Sequence, residues 1–294
     1  MLARLVSFAK ATLASTALTL NTVIMCTSLI PFALAKLLLP FRSVRRVADV
    51  VNNALADIWV NNNGLWINAV GRTQWQVTGA SGFKRYGWYL VSSNHQSWVD
   101  ILVLQKVFGG KIPLLKFFIK KELIYVPIIG LAWWALDFPF MSRKGGKASA
   151  AKDLETARKA CEKFRVVPTS VISFLEGTRF TPAKHDQQRS PYQHLLKPKT
   201  GGIAMALATM GEQFDAMLDV TIVYPDGVPT FTDLICGKLH HVIVDVRQIQ
   251  IPTDLKTDPG NDPTYRARLQ TWINGLWAAK DRHLDELGAS TTQQ

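Results

Sequence analysis

Cysteine is scarce: Cys26, Cys161 and Cys236 are the only three in 294 residues. They are too few and too scattered for a disulfide framework, no two have the spacing of metal ligands, and a reducing compartment fits best. The six histidines do not make a zinc site either. His240 and His241 are adjacent in an expected strand and so point to opposite faces. No metal is expected. The Gly-x-Ser-x-Gly elbow is absent and no cysteine sits in a catalytic motif, so the usual protein nucleophiles are missing. Zinc-finger spacing and RNA-recognition signatures are also lacking, which argues against a nucleic-acid binder.

Acidic side chains are the minority, 22 Asp+Glu against 34 Lys+Arg, for a net charge of +12. Such an excess points to a polyanionic partner, and the apolar segments decide in favour of an anionic membrane surface. Charge is missing altogether from residues 11–35, "ATLASTALTLNTVIMCTSLIPFALA". As one helix this stretch would reach about 37 Å, enough to cross a bilayer. A signal peptide, a single transmembrane anchor, and a helical hairpin broken at Pro31 all fit the stretch. The apolar character continues through "KLLLPFR", which favours anchoring over cleavage. Arg42, Arg45 and Arg46 follow the segment, so the positive-inside rule places the bulk of the chain on the cytoplasmic face of the inner membrane. Residues 1–42 are read as the anchoring segment and 43–294 as one α/β domain.

Beyond it, the pattern predicts a helix over 44–70, strands at 73–79 and 88–94, and a helix after Ser97. Residues 111–146 are rich in lysine and then in apolar and aromatic side chains, suited to buried core or to an interfacial, acyl-binding surface. An amphipathic helix is expected at 148–164, a strand from 169 and a Pro-rich, charged loop over 181–201. A helix near 202–212, strands at 218–224 and 239–247, and a C-terminal helix around 264–286 complete the pattern. Strands alternating with helices predict an α/β fold, a mixed sheet flanked by helices. Its motifs fall at strand ends, where such sheets place their ligands.

"SSNHQSWVD" puts His95 and Asp100 five residues apart where a strand ends. A neutral imidazole can take a proton from a hydroxyl, and a carboxylate can fix its tautomer. A strand-to-helix bend can join such positions, although His and Asp also serve as caps and surface polars. With no protein nucleophile present, the activated hydroxyl would belong to the substrate. Downstream, Glu176-Gly177-Thr178-Arg179 follows a β-rich run, with Arg179 offering a planar fork and Thr178 a hydroxyl to a phosphate. Phe140-Met141-Ser142-Arg143 is a second strand-like run ending in arginine. Taken singly, an ordinary turn and a solvated basic loop explain these two as well.

In this order the blocks resemble the glycerolipid acyltransferase family, the 1-acyl-sn-glycerol-3-phosphate acyltransferases. "NHQSWVD", "FPFMSR", "FLEGTR" and "VTIVYP" match its four blocks, over a motif core of residues 85–226. "KKEL..VP.IG" and "LKPKTGG" are most similar to the lysocardiolipin acyltransferase-like and bacterial paralogue branch. The resemblance implies that His95 deprotonates the acceptor hydroxyl and Asp100 orients it, with Asn94 in support. It implies that Arg143, Glu176, Gly177, Thr178 and Arg179 form the phosphate site. It further implies a lysophospholipid acceptor, acyl-CoA or acyl-carrier protein as donor, and no separate cofactor. Lysocardiolipin, lysophosphatidylglycerol and glycerol-3-phosphate are alternative acceptors. A non-catalytic basic protein bound to membranes is the alternative from another class.

Overall fold

A computed structural model describes residues 2–39, 41–141, 167–257 and 262–291, with isolated positions between 155 and 164. Two long helices lead the chain, α1 (Leu2–Leu38) and α2 (Arg42–Val70). Strands β1 (Gln74–Thr78) and β2 (Tyr89–Ser93) follow, then α3 (Val99–Phe108). The lysine-rich and aromatic stretch divides into β3 (Leu115–Phe117), β4 (Ile119–Lys120), α4 (Ile129–Ala135) and β5 (Phe140–Met141). After it come β6 (Ser170–Phe174), α5 (Pro182–Gln188), α6 (Gly201–Met210) and β7 (Ala216–Val223). The chain closes with α7 (Phe231–Ile235), β8 (His241–Ile249) and α8 (Pro263–Thr291). The amphipathic helix expected at 148–164, with Cys161, lies largely outside the described residues.

The main sheet has the order β1-β8-β7-β2-β6-β3. All its pairings are parallel except β7 with β8, which is antiparallel, so the sheet is mixed. β2 lies at its centre, and all five of its residues are buried, as a strand covered on both faces must be. The period-two alternation assigns each side chain a layer. Leu218, Val220 and Ile222 of β7 join Tyr89 and Val91 against Val103 and Val107 of α3. Met217 and Leu90 face the other way, toward Leu207 of α6 and Trp277 of α8.

That second layer also contains charge. Asp219 lies on the same face as Met217, and Lys280 of α8 reaches it at 2.9 Å with neither side chain more than 1% exposed. Lys280 also donates to the Val220 carbonyl and, at 3.3 Å, to Thr221 Oγ1. Arg247, directly across from Asp219 in the antiparallel register, closes on its other oxygen at 2.6 Å. Burial pushes the Lys280 ammonium below the usual lysine range, and the Asp219 charge opposes that shift.

The N-terminal segment departs from one expectation. Pro31 does not break the apolar stretch into a hairpin; α1 runs through it. The hairpin is instead α1 laid along α2. Asn21 binds both Asn63 (2.9 Å) and Asn62 (3.0 Å) across the helix pair, and Trp66 Nε1 donates to the Ala14 carbonyl at 2.9 Å. Beyond Pro31, Lys36 bridges Asp49 of α2 and Asp137 after α4. Leu29 and Ala33 pack with Ala132 and Ala135 of α4. Contacts on both sides of the proline thus hold one axis where local propensity alone would favour a break. The outer face of α1 leaves Phe8, Leu13, Leu20 and Ile24 exposed. Within Phe8–Leu38 an 18-residue stretch reaches a mean hydropathy of 1.7, and the segment is apolar and long enough to cross a membrane.

The buried Lys280 ion pair yields a stability prediction. Lys280→Met keeps the volume but leaves Asp219 to Arg247 alone, and should cost about 3 kcal/mol in chemical denaturation. A loss under about 1 kcal/mol would mean that the pair does not hold α8 to β7.

Candidate active site

The His95 loop is built from β2 outward. Where β2 ends, Asn94 continues the sheet with its side chain: its Nδ2 donates to the Ile222 carbonyl and its Oδ1 accepts the Ile222 N–H, both at 2.8 Å. This amide pairing stops the strand and turns the chain toward α3. Ser97 then accepts the Val99 N–H at 3.1 Å and donates to the Pro229 carbonyl at 2.5 Å, which starts the helix and docks the loop.

Asp100, in the first turn of α3, reaches back across this bend. Its Oδ2 accepts the N–H groups of Gln96 (2.6 Å) and Ser97 (2.9 Å) and meets His95 Nδ1 at 2.9 Å. Its Oδ1 takes the Tyr224 hydroxyl at 2.6 Å. A carboxylate that accepts at Nδ1 puts the imidazole hydrogen there and leaves the Nε2 lone pair free for a proton. The His95 ring stacks on Phe174 with centroids 4.0 Å apart and planes within 15°. It keeps 11% exposure beside a carboxylate with 1%, so solvent reaches the imidazole but not its partner.

Glu176 lies beneath this loop. It is fully buried, and its oxygens accept the N–H groups of His95 (2.8 Å) and Leu196 (3.1 Å). It therefore shapes the site by fixing the His95 backbone. Burial pushes its carboxyl up to about 7; the two N–H donors pull it down, and the nearby Asp100 charge adds to the rise. Gly177 turns the chain with φ +66°, and a Cβ there would come within 3.1 Å of Lys199 Cδ. Thr178 Oγ1 and the Arg179 carbonyl both accept from Lys184 Nζ, at 2.8 and 2.9 Å. The exposed Arg179 guanidinium lies 4.9 Å over the Trp98 ring.

The structure therefore joins Asn94, His95, Asp100, Glu176, Gly177, Thr178 and Arg179 at the ends of β2 and β6. Arg143 lies outside the described residues. Sequence reasoning missed Lys184, Lys199, Phe174 and Tyr224. Two signals were present: Lys199 stands in "LKPKTGG" and Tyr224 in "VTIVYP". The 181–201 loop is also more ordered than its composition predicts. Thr181 caps α5 by accepting the Lys184 N–H, with Pro182 in the first turn. From α8, Asp281 accepts the N–H groups of Gln193 and His194 and Trp277 donates to the Leu196 carbonyl.

A protein-family model described as "Acyltransferase" matches residues 74–225, just over half of the chain and the whole of this constellation except α8. The chain belongs to the acyltransferase family. Human 1-acyl-sn-glycerol-3-phosphate acyltransferase delta is 29% identical over 214 residues, 67% of this chain and 52% of that protein. The Arabidopsis thaliana 1-acyl-sn-glycerol-3-phosphate acyltransferase 3 is 28% identical over 216 residues, 67% of this chain and 53% of that protein. This acyltransferase chain thus spans about half the length of the curated relatives it matches. Its fold matches that of the crystal structure of the 1-acyl-sn-glycerophosphate (LPA) acyltransferase PlsC from Thermotoga maritima. The TM-score is 0.58 at 18% identity, with 97% of this chain and 98% of the other covered.

The raised Glu176 carboxyl has a definite sign in pH titrations. Its folded value of about 7 exceeds the ordinary 4.5, so its contribution is complete below pH 4.5 and is lost as pH rises through 7. Relative to Glu176→Gln, unfolding free energy should fall by about 3 kcal/mol over that window. Parallel pH profiles for the two proteins would show that Glu176 titrates as it does in the unfolded chain.

Proposed function

We propose that this protein transfers a fatty acyl group from acyl-CoA or acyl-carrier protein to the free hydroxyl, at sn-2, of lysophosphatidic acid, giving phosphatidic acid. The observation that carries this reading is His95, tied to Asp100 at 2.9 Å, with Nε2 open, next to a 177–179 turn that carries Arg179 and is met by Lys184 and Lys199. The hydroxyls of Ser93 and Ser97 beside the histidine are engaged by the Asn94 and Pro229 carbonyls, so the acyl group passes directly to the acceptor. His95 Nε2 takes the acceptor's hydroxyl proton as the oxygen attacks the thioester carbon. Asp100 stabilises the imidazolium that forms. On collapse the carbon–sulfur bond breaks, and the imidazolium returns the proton to the leaving thiolate. The cations hold the acceptor phosphate, Arg179 through its planar fork.

The reaction belongs at a membrane surface on this reading. Asn21 and Lys36 bind α1 to the rest of the protein, and Leu29 and Ala33 are buried against α4. A helix crossing the bilayer would have to give these contacts up. Its exposed face suits a helix lying in the interface, with the basic surface of a +12 chain drawn to anionic lipid. Arg42, Arg45 and Arg46 after the apolar segment favour the inner membrane with the site on its cytoplasmic side.

Purified protein in detergent, given labelled acyl-CoA and lysophosphatidate, should form phosphatidate. His95→Ala should lower the rate by about a thousandfold or more. Arg179→Ala should mainly raise the acceptor KM, by about tenfold. Transfer that survives His95→Ala undiminished overturns the mechanism, and no transfer from either donor favours a binding protein. For the membrane, Leu20→Glu with Ile24→Glu should move most of the protein from floating vesicles of anionic lipid to the soluble fraction. Unchanged flotation would place the contact elsewhere.

A further inference from the structure

We infer that Tyr224 is a positioning residue of this site, whose hydroxyl holds the free oxygen of Asp100 and so fixes the imidazole that Asp100 orients. The inference rests on the transfer reaction proposed above. Asp100 Oδ2 is already crowded by His95 Nδ1 and the Gln96 and Ser97 N–H groups. Oδ1 takes its hydrogen bond from Tyr224 at 2.6 Å. Without that bond the carboxylate plane could rotate about its Cβ–Cγ bond, and the Nδ1 contact would loosen with it.

The register shows why this position can do the job. Tyr224 follows the last residue of β7, and its side chain joins that of Ile222 in the layer that packs on α3, whose first turn carries Asp100. Ile222 grips Asn94 at one end of the His95 loop and Tyr224 grips Asp100 at the other. One strand end thus spans the whole bend between β2 and α3. Tyr224 is 7% exposed, so water does not compete freely for its hydroxyl. Burial, and then the Asp100 carboxylate, push its phenol well above the ordinary range, so it stays a donor wherever the enzyme works. Among the described residues, the titratable groups facing Asp100 are His95, Tyr224 and, across the loop, Glu176.

A phenol that donates to the carboxylate also draws charge from it. Remove the hydroxyl and the carboxylate attracts the imidazole proton more strongly. His95 then holds a proton to higher pH. Tyr224→Phe should lower kcat by about tenfold with the lysophosphatidate KM within about twofold. The acid limb of kcat/KM should move to higher pH. In an Asp100→Asn background the same substitution should cost nothing further, because its route of action is already gone. An equal loss in both backgrounds, or an unmoved acid limb, overturns the inference.

A second readout does not depend on activity. The His95 imidazole resonance, assigned by its loss in His95→Ala, should titrate at higher pH in Tyr224→Phe than in wild type. A shifted titration in a protein that transfers no acyl group would sink the reaction and keep the positioning role. Active wild type with an unshifted titration would do the reverse. Should Tyr224→Phe fail to fold, 3-fluorotyrosine in place of tyrosine makes the phenol a stronger donor. The titration must then move to lower pH, and no movement rejects the role.

Discussion

The carboxylate of Asp100 is the point on which the site turns. It accepts two loop N–H groups, a tyrosine hydroxyl and the His95 ring, and so sets the course of the chain between β2 and α3 as well as the imidazole tautomer. A neutral side chain could close part of that bend, but only an acceptor with two open oxygens can serve four donors. The five-residue spacing follows from this. Asp100 must be far enough along to lie in the first helical turn and near enough to reach back over residues 95–97.

The loop needs a rigid floor, and the fold supplies it with buried charge. Glu176 clamps the His95 and Leu196 backbones from below, and Leu196 is fastened in turn to Trp277 of α8. One turn further along α8, Lys280 reaches Asp219 and the Val220 carbonyl of β7. That strand also holds Asn94 through Ile222. The C-terminal helix therefore grips the active loop by two routes, one through β7 and one through the 190–196 segment. Unpaired buried charges would be costly in such a place. Each of these is met by a partner from a different element, which makes the arrangement of elements specific.

Much of this was legible in the sequence because it is local. The apolar alternation of β7 and the His95-to-Asp100 spacing need only a few neighbouring residues to be read. The parts that escaped depend on distant partners. Pro31 reads as a helix break until Asn21, Lys36 and α4 are known to fasten α1 on both sides of it. The 181–201 stretch reads as open loop until Asp281 and Trp277 are placed against it. Glu176 carried its charge in the motif, but nothing nearby in sequence reveals that both oxygens face backbone N–H groups. Tyr224 ended an apolar run, and its meaning depends on Asp100 lying 124 positions earlier.

The apolar helical hairpin and the His95 loop also meet in one element, α3. Its first turn carries Asp100, and its inner face packs Val103, Val107 and Phe108 on the sheet. Its Lys106 donates to Asn68 Oδ1 at 2.8 Å and to the Gly64 carbonyl at 3.4 Å, both in α2, and lies over the Trp75 ring. α2 in turn carries α1. A ten-residue helix thus fixes the distance between the apolar face and His95. On the proposed reading, an acceptor whose acyl chain stays in the lipid and whose hydroxyl must reach His95 requires such a fixed distance. A flexible linker in place of this rigid helix path would let the proposed anchor hold a membrane without presenting His95 to it.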